Sequence, residues 1–198
     1  LMTVKGGAEP IPVAEVAGRQ LIQSLQTTQF DRPLVGREAE VEQLDRILDS
    51  VLAGRGQLVT VQGPTGIGKS HLLAVFQQSS VANGVQVVQG TSQRIFQTTT
   101  YYPWQQIARQ VFGLSTFTTD QNGETSAQID ELERALVQIN PDWRIRMPLL
   151  GDLLGIPIPD NPTTAGFDPK QRQESLFRFM IEILRTWSRS QPLLVLFE

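Results

Sequence analysis

"LVTVQGPTGIGKSHLLAVF", residues 58–76, carries the reading that decides the fold. Its first residues are an apolar, strand-like segment, so a strand is expected over "QLVTVQ", 57–62. A glycine-rich turn follows, and then a helix is expected from about Lys69 to Ala82. "NGVQVVQG", 83–90, adds a turn and a second strand. Strand, helix, strand in that order is the signature of a parallel sheet with a right-handed crossover. The expected class is therefore α/β.

The turn itself, Gly63-Pro64-Thr65-Gly66-Ile67-Gly68-Lys69-Ser70, matches G-x-x-x-x-G-K-[ST], the P-loop pattern. Glycines permit backbone angles at which successive N–H groups converge on one point and form an anion-binding nest. The helix that follows adds its free N–H groups and the positive end of its dipole. Lys69 would reach the β- and γ-phosphates of a nucleotide, and the Ser70 hydroxyl would join the shell of a Mg²⁺ ion. A nucleoside triphosphate is the expected ligand, and an unliganded strand-to-helix turn is the plainer alternative.

Upstream, "VGREAEVEQLDRILDSVLAGRG" predicts a helix. Val41, Leu44, Leu48 and Val51 make one stripe, and Gly54 and Gly56 end it. Downstream, residues 91–168 read as a helical insert with helices at 103–112, 126–139 and 142–154 between proline-rich loops. "FDPKQRQESLFRFMIEILRTWSRS" is the clearest helix, with Asp168 as N-cap and Pro169 in the first position. Leu176, Met180, Ile183 and Trp187 line its apolar face. "PLLVLF" then begins a continuously apolar strand, as in the buried middle of a parallel sheet. The sequence stops at Glu198, inside that strand, and is expected to be a fragment with neighbours at both ends.

Bulk composition narrows the classes. Hydrophobic residues make up 40% and charged residues 19% of the 198, a globular balance. Without cysteine there is no disulfide, thiol nucleophile or cysteine metal site, which fits a cytoplasmic location. A formal charge of −3 argues against a dedicated nucleic-acid surface. No apolar run reaches the ~20 residues of a membrane helix. Lys5, Lys69 and Lys170 are the lysines, so one of them stands in the glycine turn.

A P-loop enzyme also needs an acid at the tip of a neighbouring apolar strand to hold Mg²⁺. Glu198 occupies that place, where aspartate is usual, and would join Lys69 in catalysis and Ser70 in the metal site; an ordinary buried strand with an acid at its exposed tip is the alternative. A second acid, able to orient water, would fall beyond the last residue. Arg37 is a candidate contact to the base or sugar, with a solvated arginine at a helix start as the alternative. His71 is expected to be an incidental helix residue, since no triad or metal cluster accompanies it. "TTTYYPW" reads as a packed surface loop rather than a stacking platform, and Arg172, Arg178, Arg185 and Arg189 as a solvated face.

"LVGREAEVEQLDRIL", "VQGPTGIGKS", "YYPWQQIARQVFG", "MPLLGDLLGIPIP" and "QRQESLFRFMIEILRTWSRSQPLLVLFE", in this order, resemble an AAA-type ATPase module of the STAND class. Modules of this kind occur in bacterial multidomain signalling proteins and behind class III nucleotidyl cyclase domains. The opening "VKGGAEPIPVAEV" is similar to the closing strands of such a cyclase domain. The resemblance implies three parts: a cyclase-like tail over 1–18, a linker over 19–31, and a P-loop NTPase domain over 32–198 that is incomplete at its second-acid strand. It further implies that Gly63 to Ser70 bind ATP with Mg²⁺, that Gly36-Arg37-Glu38 lies near the adenine, and that helical repeats follow. Pro64-Thr65 stands where the family often has Glu-Ala, at positions that face outward. The preference for ATP over GTP rests on this resemblance.

Three functions remain open at this point. The first is an ATP-dependent regulatory switch read by neighbouring domains of the same polypeptide. The second is a scaffold whose loop holds nucleotide without turnover. The third is a small-molecule kinase, disfavoured by the long helical insert.

Overall fold

The computed structural model describes residues 33–92, 99–114 and 123–198. The proposed cyclase-like tail and linker, 1–31, lie outside the described residues.

Among the described residues the elements run in the order α1 (Glu38–Leu52), α2 (Lys69–Ala82), β1 (Gln86–Gly90), α3 (Tyr102–Phe112), α4 (Gly123–Ile139), α5 (Met147–Leu154), α6 (Pro169–Ser190) and β2 (Leu193–Phe197). A 3-10 helix, Pro141–Arg146, runs directly into α5. The helix expected over 142–154 is thus two pieces. Pro148, one residue into α5, has no N–H to donate back into the preceding turn, which favours a restart there.

The class is α/β, helix-rich around a small parallel sheet. β1 and β2 pair in parallel with Gln86 opposite Leu193, Val88 opposite Val195 and Gly90 opposite Phe197. Alternation divides the side chains between two cores. Val88, Leu193 and Val195 face a large cluster in which Ile107, Leu132, Leu136, Leu150, Phe179 and Ile183 are fully buried. Leu194 faces a smaller cluster of Leu44, Leu48, Leu72, Phe76 and Val85, formed by α1, α2 and the turn before β1. The sheet therefore lies between two helical layers, with α2 on one side and α3 and α6 on the other.

One expectation fails. Residues 57–62 form no strand, with Leu58 96% and Val59 42% exposed. A short apolar segment becomes a strand only when a neighbour takes up its backbone N–H and C=O groups, and among the described residues none lies alongside it. Val61 alone turns inward, against the α1–α2 cluster. The parallel pair is built instead from the second and the last of the three expected strands. β2 is apolar as expected but not enclosed, since Phe197 at its end is 52% exposed.

α6 follows its sequence signals closely. The Asp168 carboxylate accepts from the Gln171 N–H at 2.8 Å, and the Gln171 side chain accepts from the Asp168 N–H at 3.1 Å, a complete capping box. Its inner face is Leu176, Phe179, Met180 and Ile183, all buried. The N-cap of α3 is Tyr101, whose φ of +60° is unusual for a residue with a side chain. The Tyr101 ring packs edge-on against Phe177 at 5.4 Å, and Trp104 packs against Phe197 at 5.0 Å. Tyr101 and Trp104 of "TTTYYPW" are thus packing groups between α3, α6 and β2. Of the α6 arginines, Arg178, Arg185 and Arg189 are exposed, whereas Arg172 is half-buried and bridges Asp152 and Asp160.

Candidate functional site

The glycine turn leads straight into α2, with Gly68 as N-cap in the left-handed region at φ +95°. Gly66 also has a left-handed φ, +81°. A side chain at either position would be strained, so both glycines are required by the backbone path. α2 has no side-chain cap and no acid in its first turn. The glycine turn thus faces the positive end of a 14-residue helix.

Lys69 arches back over the loop, and its ammonium donates to the Gly63 carbonyl at 3.1 Å and the Pro64 carbonyl at 2.9 Å. That posture holds the cation at the mouth of the turn. Arg37, at the N-cap of α1, donates to the Ile67 carbonyl at 3.2 Å and to the Glu40 carboxylate at 2.7 Å. Hydrogen bonding from Arg37 is the main reason that the Glu40 carboxyl titrates below its ordinary range. Arg37 is therefore drawn onto the loop across thirty positions of sequence, while Pro64, Thr65 and Ile67 face solvent.

Across the mouth, the Ser70 hydroxyl donates to the Glu198 carboxylate. Two residues 128 positions apart in sequence thus meet where β2 ends and α2 begins. Their oxygens are the hard donors that Mg²⁺ prefers. Among the described residues no group of three or more His, Cys, Asp or Glu could hold a metal ion on its own. A cation here would complete its shell with water and phosphate oxygens, as Mg²⁺ commonly does at nucleotide sites. The donor set fits such an ion. His71, next to Ser70, is half-buried on α2.

The structure adds residues that the sequence reading did not single out. The Gln89 side-chain amide, on β1, donates to the other Glu198 oxygen at 3.4 Å. The backbone of Gln89 is in turn held by Gln110 of α3. No periodicity or motif flags either residue. A polar residue within an apolar strand, "VVQG", was the only available signal.

A separate cavity of about 220 Å³ lies between α1 and α2, lined by Val41, Leu44, Leu72, Val75 and Phe76 with Asp45 and Ser79. It offers an anion no cationic group and is distinct from the glycine turn.

The loop geometry, the ammonium over it and the paired hydroxyl and carboxylate agree with a comparison of sequences. Residues 33–198 match the AAA ATPase domain family, and the chain belongs to it. It is an AAA-type P-loop ATPase module, for which nucleotide binding is expected. An uncharacterized protein of Rhizobium meliloti (strain 1021) is 51% identical over 41 residues, a match covering 21% of this chain and 4% of that protein. The chain therefore corresponds to a small part of that relative's length. No solved structure matches it significantly. Among the described residues, no helix is long and apolar enough to cross a membrane.

Proposed function

We propose that this chain is the ATP·Mg²⁺-binding module of a multidomain signalling protein, acting as a nucleotide-controlled switch. The observation that carries the reading is the meeting of Ser70 and Glu198 at the mouth of the glycine turn. Backbone N–H groups from Gly66 to Ser70 cradle the phosphates, and Lys69 moves from the Gly63 and Pro64 carbonyls onto the β- and γ-phosphate oxygens. Ser70 and Glu198 would hold a Mg²⁺ ion, which would supply neutralisation of the phosphate charge. Arg37, with Gly36 and Glu38, stands beside the base or sugar.

In this reading the module responds to the presence of the triphosphate. Neighbouring domains of the same polypeptide read the change. Residues 1–18 are the tail of a cyclase-like domain, 19–31 a linker, and the whole acts in the cytoplasm.

Calorimetric titration of ATP, with and without Mg²⁺, tests the reading, with Lys69→Ala alongside and GTP as competitor. Binding that needs both Mg²⁺ and Lys69 supports it. A folded wild-type chain that binds neither nucleotide would reduce the turn to architecture and favour a scaffold. Phosphoryl transfer to an added small molecule would favour a kinase.

A further inference from the structure

Two glutamines on α3 close the outer edge of the sheet. The Gln110 side chain accepts from the Gln89 N–H at 3.0 Å and donates to the Gln89 carbonyl at 2.7 Å. Four residues earlier, Gln106 accepts from the Thr91 N–H at 3.3 Å and donates to the Thr91 carbonyl at 3.0 Å. Spacing of four on a helix and of two on an extended chain both cover about 6–7 Å, so the two amides meet alternate backbone units of one strand edge. Each primary amide satisfies one donor and one acceptor, as a neighbouring strand would.

The inner edge of the same segment holds Glu198. The Glu198 N–H donates to the Gly90 carbonyl at 3.1 Å, and its carbonyl accepts from the Ser92 N–H. Its carboxylate receives the Gln89 amide on one oxygen and the Ser70 hydroxyl on the other. The approach of α3 to β1 is close: a Cβ at Gly90 would come within 2.5 Å of the Pro103 carbonyl oxygen.

We infer that Gln106 and Gln110 are positioning residues for the metal end of the site, fixing the Glu198 carboxylate through the strand segment Gln89–Ser92. The inference rests on the nucleotide reading above and adds to it. Free backbone groups at the end of a strand fray easily. Clamping Gln89 and Thr91 from outside keeps Gly90 and Ser92 aligned on Glu198, and thereby keeps its carboxylate beside Ser70. Neither glutamine touches phosphate or metal, so their removal acts only on the Mg²⁺-dependent part of binding.

The test compares ATP dissociation constants with and without Mg²⁺ for wild type, Gln110→Leu, Gln106→Leu and Gln110→Glu, with thermal unfolding of each. Gln110→Glu keeps the acceptor for the Gln89 N–H and loses the donor, so it remains informative should the leucine variants fold poorly. Gln105→Leu, on the same helix but bonded only to the Thr100 carbonyl at 3.3 Å, is the control. The expected result is a Mg²⁺-induced tightening reduced roughly threefold to tenfold in Gln110→Leu, less in Gln110→Glu. Affinity without Mg²⁺ and the Gln105→Leu control stay at wild-type level. Equal losses with and without Mg²⁺, or unchanged Mg²⁺ tightening in folded variants, overturn the inference. A wild-type chain with no Mg²⁺-dependent binding fails one step earlier, at the nucleotide reading, and removes the inference with it.

Discussion

The Ser70 hydroxyl donates to the Glu198 carboxylate, joining the first turn of α2 to the end of β2. Ser70 lies in the first turn of the helix after the glycine turn, and Glu198 directly follows the strand that pairs with β1. The contact gives the site two poles. In the proposed reading, Lys69 and the helix N-terminus are a cationic pole that would take phosphate, and Ser70 with Glu198 an oxygen-rich pole that would take a divalent cation.

The cationic pole makes the first prediction. If Lys69 holds the phosphates as proposed, Lys69→Ala removes a charge-assisted hydrogen bond worth about 1.5–3 kcal/mol, so ATP affinity should fall roughly tenfold to a hundredfold. Lys69 contacts only carbonyls of its own loop, so the melting temperature should change little. Calorimetry and thermal unfolding of the same samples check both. Affinity within twofold of wild type contradicts the prediction.

Gly68 makes the second. Its φ of +95° is costly for any residue with a Cβ, about 1–2 kcal/mol in the left-handed region. Nothing lies within 4 Å of where that Cβ would be, so the penalty is one of backbone conformation and not of collision. Gly68→Ala should therefore lower stability modestly while weakening ATP binding more than its stability loss explains. Denaturant titration beside nucleotide titration separates the two.

α6 and the capping box give the third. Asp168→Ala removes the acceptor for the Gln171 N–H and should cost about 1 kcal/mol. For a domain of this size that corresponds to about 2–4 °C in Tm. Asp168→Asn or Ser should recover most of it. An alanine variant as stable as wild type would show that packing of Leu176, Phe179, Met180 and Ile183 alone sets that end of the helix.

Glu182 gives a pH dependence. It accepts from Arg146 at 2.6 Å and from the indole N–H of Trp143, a side chain only 1% exposed, at 2.9 Å. The Arg146 hydrogen bond is the largest cause, and it holds the Glu182 carboxyl below its ordinary value against the opposing effect of burial. The folded value lies below the unfolded one, so the contribution is complete above the unfolded value of about 4.3. It is lost as pH falls through the folded value. Urea midpoints measured against pH should show the advantage of wild type over Glu182→Gln shrinking below about pH 4.3. A gap that stays constant into acid contradicts this.

Local signals made much of the fold legible. Asp168, Pro169 and an apolar stripe marked α6, and Val41, Leu44 and Leu48 marked α1. Both depend on contacts within a few residues. The segment 57–62 was misread because a strand is a relation between two chains of backbone, and Leu58 and Val59 carry no record of whether a partner is beside them. The glycine turn was legible because its spacing encodes a backbone conformation, seen at Gly66 and Gly68. Glu198 was legible by position, at the end of an apolar run. The Gln110–Gln89 contact was not, since two amides 21 residues apart leave no periodic trace.

The most direct test of the central claim is a double-mutant cycle on Ser70→Ala and Glu198→Gln, reading how far Mg²⁺ tightens ATP binding. If the two residues hold one cation together, each single variant loses most of the tightening and the double variant loses little more. ATP affinity without Mg²⁺ stays near wild type in all three. Full Mg²⁺ tightening in either single variant, or losses that simply add, would contradict a shared metal pole at Ser70 and Glu198.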